Sequence, residues 1–147
     1  MIVRPAVIAD LPVVVDLAVE SVSINPLPVV IDRKAMRAQA RDCMAPQNYL
    51  RVCEVDGRVV GAWAAVTHPS FWHERRVCSV LLHFSRTPGG WVRLARDFHR
   101  WVSGRGAIRV AVLELEPEAD PRMVQLLKRI GFTRESTNVS YVRGIET

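Results

Sequence analysis

Val77-Cys78-Ser79-Val80-Leu81-Leu82-His83-Phe84 runs into Ser85-Arg86-Thr87-Pro88-Gly89-Gly90 and then into Trp91-Val92-Arg93-Leu94-Ala95-Arg96-Asp97-Phe98-His99-Arg100-Trp101-Val102. The first segment reads as an apolar strand. In the last, Trp91, Leu94, Ala95, Phe98, Trp101 and Val102 recur at i, i+3, i+4, i+7, i+10 and i+11. That spacing puts them on one buried face of a helix beginning at Trp91. The corner between strand and helix holds two adjacent glycines, which let a backbone approach a ligand where a Cβ would obstruct it. The first amides of a helix lack intrahelical partners and carry the positive end of its dipole, so such a corner is suited to phosphate oxygens. A sharp strand-to-helix reversal also calls for glycine on geometric grounds alone. Both readings stand on these residues.

Upstream, two β-rich runs, Tyr49 to Val55 and Arg58 to Thr67, are separated by Asp56-Gly57. Asp-Gly at this position predicts an antiparallel hairpin, because both turn residues must accept φ > 0. Gly61 suggests a bulge in the second run. The connection that follows, from His68 to His73, contains Phe71 and Trp72. Aromatics in a loop imply packing over the sheet, or else lining a pocket. Nearer the N-terminus, Ile2 to Arg4 reads as a short strand, and Asp10 as the N-cap of a first helix that buries Val14, Val15, Ala18 and Val22. Asn25-Pro26 and Pro28 break that helix. A second helix is expected from Asp32 to about Cys43.

Downstream, Gly104 and Gly106 stop the central helix, and Ala107 to Leu115 reads as another strand. Asp120 and Pro121 open a last helix that buries Met123, Leu126, Leu127 and Ile130 and ends at Gly131-Phe132. Short strands to about Arg134 and from Asn138 to Val142 would close the sheet as a hairpin. On the central helix, Asp97 is expected to pair with Arg93 or Arg100.

Composition narrows the function classes. A chain of 147 residues with 49% hydrophobic and 24% charged residues is one ordinary globular domain, residues 1–147. A net charge of +5 and a pI near 9.7 invite a nucleic-acid reading, but the arginines are scattered and no aromatic stacking motif accompanies them. A basic cleft for a small anionic ligand accounts for the charge equally well. Cys43, Cys53 and Cys78 form neither a disulfide framework nor a zinc motif, and two histidines near the aromatic loop make no metal site. A reducing cytoplasm suits the free thiols. The N-terminus has no signal-peptide pattern, and no apolar run is long enough to span a bilayer.

The order β-α-α-β-β-β-α-β-α-β-β, the Asp-Gly hairpin, the strand-Gly-helix corner and the closing Ile130-Gly131-Phe132 together resemble the GNAT family of N-acyltransferases. The resemblance spans nearly the whole chain and is closest to the small, divergent members found in bacteria and tailed phages. It implies an α+β fold of three layers, α/β/α. Its mixed, mostly antiparallel sheet would have about seven strands and a V-shaped split between the fourth and fifth. It also implies acetyl-CoA as acyl donor and an amine as acceptor, with no metal. The pantetheine arm would run along Leu82, His83 and Phe84, and the diphosphate would meet Arg86, Gly89, Gly90, Trp91 and Val92. The family's phosphate turn, Gln/Arg-x-x-Gly-x-Gly/Ala, is matched at Arg86 and Gly89 but has Trp91 in the last place. The tyrosine that protonates the leaving thiolate in the family is replaced by Leu127. Tyr141 is the nearest substitute by type, and Glu114 and His83 are the base candidates, with Glu116, His68 and His73 behind them. Exposed strand edges would suit a homodimer. The alternative is a GNAT-shaped binding or structural module that no longer catalyses.

Overall fold

The computed structural model describes residues 1–24 and 27–144. The expected break at Asn25-Pro26 lies outside the described residues. Five strands form one sheet in the order β1-β2-β3-β4-β5: β1 Ile2–Pro5, β2 Tyr49–Val55, β3 Arg58–Pro69, β4 Arg76–Ser85 and β5 Ile108–Val112. The first four pair antiparallel; β5 pairs parallel to β4. Among the described residues four α-helices flank the sheet: α1 Leu11–Ile24, α2 Arg33–Asp42, α3 Pro88–Ser103 and α4 Pro121–Ile130.

Period-2 alternation along the strands divides the core between two faces. Leu50, Val52, Ala62, Ala64 and Leu82 face α1 and α2, meeting Leu11, Val14 and Leu17. Tyr49, Cys53, Trp63, Ala65 and Cys78 face α3 and α4, meeting Trp91, Leu94, Ala95, Phe98 and Leu127. This is the three-layer arrangement expected from the sequence. The hairpin turn also forms as expected, with Asp56 at φ 51° and Gly57 at φ 78°.

Two bulges interrupt the ladders. Cys53 pairs with Gly61 and Glu54 with Val59, which leaves Val60 unpaired beside the expected Gly61. Ala64 pairs with Leu82 and Ala65 with Val80, which leaves Leu81 unpaired. At the end of α4, Gly131 adopts φ 136°, where a Cβ would run into the His99 ring. The turn lets Phe132 stack on Phe98 with ring centroids 6.1 Å apart.

Several expectations change. The sheet has five strands among the described residues, not about seven. β5, the last strand of the sheet, ends at Val112, and no described residue after it pairs with its outer edge. The polar tail also has no buried alternate face, since Val139 is 96% and Tyr141 80% exposed. Asp10 is not the cap of α1. It ends a short 3-10 turn, Ile8–Asp10, and reaches back to accept from the Val7 N–H at 2.8 Å while pairing with Arg4 at 2.7 Å. That Arg4 guanidinium holds the Asp10 carboxyl below the usual range. Asp97 pairs with neither Arg93 nor Arg100. It accepts from the Tyr49 hydroxyl at 2.6 Å and from Arg51 at 3.3 Å, because α3 lays that residue over β2. The loop aromatics neither pack on the sheet nor line a described cavity. Phe71 and Trp72 are 89% and 87% exposed and meet edge to face at 4.8 Å.

Candidate functional site

β4 is paired with β3 along its whole length but with β5 only from Arg76 to Ser79. The bulge at Leu81 explains the parting, since an extra residue bends and twists a strand away from its neighbour. Over residues 80–85 the edge of β4 that faces β5 has no strand partner among the described residues. Unpaired N–H and C=O groups on such an edge can pair with an extended, amide-bearing ligand.

The gap leads to the corner at the start of α3. Thr87, not Gly90, is the N-cap, so the helix begins at Pro88, three residues earlier than its apolar periodicity suggests. Both glycines therefore lie in the first helical turn, and neither has positive φ. Their roles differ. A Cβ on Gly90 would collide with Ser85 Oγ and come within 2.8 Å of Thr87 Oγ1, whereas a Cβ on Gly89 would meet nothing nearer than Met1 Cε at 3.5 Å. Gly90 lets the corner close tightly; Gly89 borders open space.

The corner satisfies most of its own donors. Gly90 N–H donates to Thr87 Oγ1 at 3.2 Å, Thr87 N–H to Ser85 Oγ at 3.1 Å, and Arg86 N–H to the carbonyl of the bulged Val60 at 2.8 Å. Among the described residues nothing accepts from the Gly89 amide. The Arg86 guanidinium is held in a two-pronged contact by Glu20 of α1, at 2.7 and 2.9 Å. No local sequence signal pointed to Glu20, because only the packing of α1 against the far end of β4 brings the two together.

Trp91 turns inward rather than toward the corner. Its ring is buried near Trp63, and its Nε1–H donates to His83 Nδ1 at 3.2 Å. His83 Nε2 in turn meets the Glu114 carbonyl oxygen at 2.8 Å, across the gap. Burial pushes the His83 pKa down. Of the other arm residues, Leu82 is buried in the opposite face and Phe84 is half-buried there. Phe84 lines a hollow of about 340 Å³ with Val19, Glu20, Ser23 and Ile24 of α1. Val92 is half-buried one residue beyond Trp91.

The remaining candidates scatter. Glu114 and Glu116 lie beyond the end of β5 and are exposed, and Glu114 accepts from Asn138 Nδ2 at 2.9 Å. Tyr141 lies outside any strand, with Arg143 5.8 Å from its ring centroid. His68 contacts Ser79 Oγ at 2.8 Å. Leu127 is buried in the core beneath α3 and offers no proton. Burial raises the Cys43 thiol to about 11 and the Cys78 thiol to about 12, so neither supplies a thiolate near neutrality. Among the described residues no three His, Cys, Asp or Glu side chains gather into a metal-binding group. No helix of the described chain is long and apolar enough to cross a membrane.

Two features of this arrangement are open to an extended anionic ligand: the unpaired edge of β4, and the exposed Gly89, whose amide has no acceptor among the described residues. The Arg86–Glu20 pair, with each side chain 45% exposed, must open before Arg86 can take part.

No protein-family model and no curated protein matches the chain. Solved structures do. A possible acetyltransferase from Clostridium difficile 630 superimposes with a TM-score of 0.73 at 13% identity, covering 99% of this chain and 98% of that one. An aminoglycoside acetyltransferase from an uncultured soil metagenomic sample, in complex with sisomicin, gives 0.68 at 13% identity, covering 99% and 96%. The ribosomal-protein-alanine N-acetyltransferase of Brucella melitensis gives 0.65 at 19%, covering 89% and 83%. At these identities the likeness is one of fold, and the fold is that of GNAT-type acetyltransferases.

Proposed function

We propose that the chain is an acyl-CoA-dependent N-acyltransferase that moves an acetyl group from acetyl-CoA to an amine. The observation that carries this reading is the unpaired edge of β4, opened by the Leu81 bulge and leading to a helix N-terminus at which Gly89 is exposed and its amide has no acceptor among the described residues. Acetyl-CoA supplies an activated thioester carbonyl: the amine nitrogen bonds to it, the C–S bond breaks, and the departing sulfur ends up protonated.

The chain's own residues would share the remaining work. Residues 80–85 orient the arm by main-chain pairing. Gly89 N–H, and Arg86 once released by Glu20, neutralise the diphosphate. The hollow between α1 and Phe84 receives the acceptor, and the Glu20 carboxylate on its wall favours a cationic amine. Glu114 is the preferred base: its main-chain carbonyl meets His83 across the gap, and its carboxylate is exposed, with one hydrogen bond from Asn138. His83 and Tyr141 are the other candidates: the first has both ring nitrogens hydrogen-bonded, and the second is exposed.

Thermal shift with acetyl-CoA, with DNA as the control, tests the binding step, because a ligand of the folded state raises Tm by mass action. Release of free thiol over a panel of amines then tests the transfer. No stabilisation at millimolar coenzyme would refute the reading. A second reading, a GNAT-shaped module without catalysis, is favoured by one set of contacts: the corner donors already taken by Ser85, Thr87 and Val60. Coenzyme binding without thiol release from any amine would select it.

A further inference from the structure

A side chain bars the gap. His83 Nε2 lies 2.8 Å from the Glu114 carbonyl oxygen, and Trp91 Nε1 lies 3.2 Å from His83 Nδ1. An indole N–H only donates and a carbonyl oxygen only accepts. Together these contacts are compatible with one state of the ring, neutral and carrying its hydrogen on Nε2. Trp63, fully buried on β3 opposite His83, packs against the same ring at 5.4 Å. An imidazolium would turn Nδ1–H against the indole N–H, donor facing donor.

We propose that His83 is a proton-controlled latch on the β4–β5 gap, shut when the ring is neutral and released when it is protonated. Several charges face the ring from its neighbours. Glu116, past the end of β5, favours the cation, and the nearby Glu114 carboxylate is drawn off to Asn138. Trp91 sits in the first turns of α3, whose positive end disfavours the cation. Arg93, the first charge on that helix, is turned to the Met1 carbonyl. At the end of β4, Arg86 is occupied by Glu20, and β3 offers the neutral Trp63. Burial adds to the preference for the neutral ring, so the latch is shut near neutral pH. The consequence for a ligand rests on the acyltransferase reading: an arm lying along β4 must first displace the bond between His83 and Glu114.

The latch is tested without any ligand by nitrogen-15 and carbon-13 NMR of the free protein between about pH 8 and pH 5. The expected result is the Nε2–H tautomer at the alkaline end and a His83 midpoint below the ordinary value of about 6.5. The Trp91 indole N–H and the Glu114 carbonyl carbon should move with that midpoint. In Trp91→Phe the midpoint should rise, since the opposing donor is gone. An Nδ1–H tautomer would overturn the proposal, as would indole and carbonyl signals that stay still while His83 titrates. Calorimetry with coenzyme A at the alkaline end adds the functional arm: His83→Ala should bind about three- to tenfold more tightly than wild type, the net worth of one hydrogen bond. Equal affinities would overturn the latch. If neither protein binds coenzyme while the NMR signals co-titrate, the acyltransferase reading fails and the latch stands.

Discussion

Gly89 and Gly90 are neighbours of one residue type in one helical turn, and their replacement should have opposite effects. In Gly90→Ala the new methyl meets Ser85 Oγ and lies within 2.8 Å of Thr87 Oγ1, with Cys53 Sγ at 3.4 Å. Ser85 is also close to its cross-strand partner Gly61, where a Cβ would lie 2.8 Å from Ser85 Cβ. The substitution therefore breaks the Thr87 cap, worth about 1 kcal/mol, and the Ser85–Thr87 bond, worth about another, and adds crowding. With overpacking the total is about 2–4 kcal/mol. At this chain length each kcal/mol moves Tm by about 2–4 °C, so a fall of roughly 5–15 °C is expected in a thermal melt. Gly89→Ala meets only Met1 Cε at 3.5 Å and has helical φ, so it should be neutral or gain up to about 1 kcal/mol. Equal melting temperatures for the two variants would refute the account of this corner.

Further outcomes follow from other contacts. Gly89→Val should retain near-wild-type stability yet lose about tenfold or more in coenzyme A affinity by calorimetry, if its amide holds a phosphate oxygen. Asp10→Asn should cost about 1–3 kcal/mol in urea unfolding, because Arg4 loses the nearer of its two carboxylate partners and keeps only Glu54 at 3.4 Å. The Asp10 carboxyl is depressed in the fold, so its contribution is present above the ordinary pKa of about 4 and is lost as pH falls through the folded value. His83 is also depressed, and the unfolded chain therefore binds the extra proton first. Its stabilising share is complete above about 6.5 and is lost as pH falls below it, a slope that His83→Gln should remove from a stability-versus-pH series. Phe71→Ala with Trp72→Ala should leave the unfolding free energy unchanged within about 0.5 kcal/mol, since both rings are exposed.

Local chemistry made most of the fold legible. Asp56-Gly57 fixed a hairpin because few residue pairs accept two positive φ values, and the apolar spacing from Trp91 to Val102 fixed the face of α3. Asp120 signalled its helix correctly as a cap, and Asp32, read as the start of the second helix, caps it one residue earlier. What failed depended on contacts between distant segments. Asp10 looked like a cap for the helix after it, but Arg4 and the Val7 amide draw it backward. The last two strands were read from β-rich residues near Tyr141, yet no described residue pairs with the outer edge of β5, and Val139 and Tyr141 are too exposed to form a buried face. At the corner, two readings of the glycines were open, close approach of a ligand or a turn at positive φ; neither glycine has positive φ, and Gly90 makes room for Ser85 and Thr87. The His83–Trp91 bond was hidden because the two residues lie eight apart, on a strand and a helix whose packing no local pattern reveals.

The most direct test of the central claim is a titration of nitrogen-15-labelled protein with coenzyme A, followed by backbone amide shifts. If the β4–β5 gap is the coenzyme groove, the amides of residues 80–85 and of Gly89 should shift together and saturate at one equivalent. Silence at those amides up to millimolar coenzyme, or shifts confined to the hollow lined by Cys43, Tyr49 and Trp101 at the other end of the sheet, would contradict it.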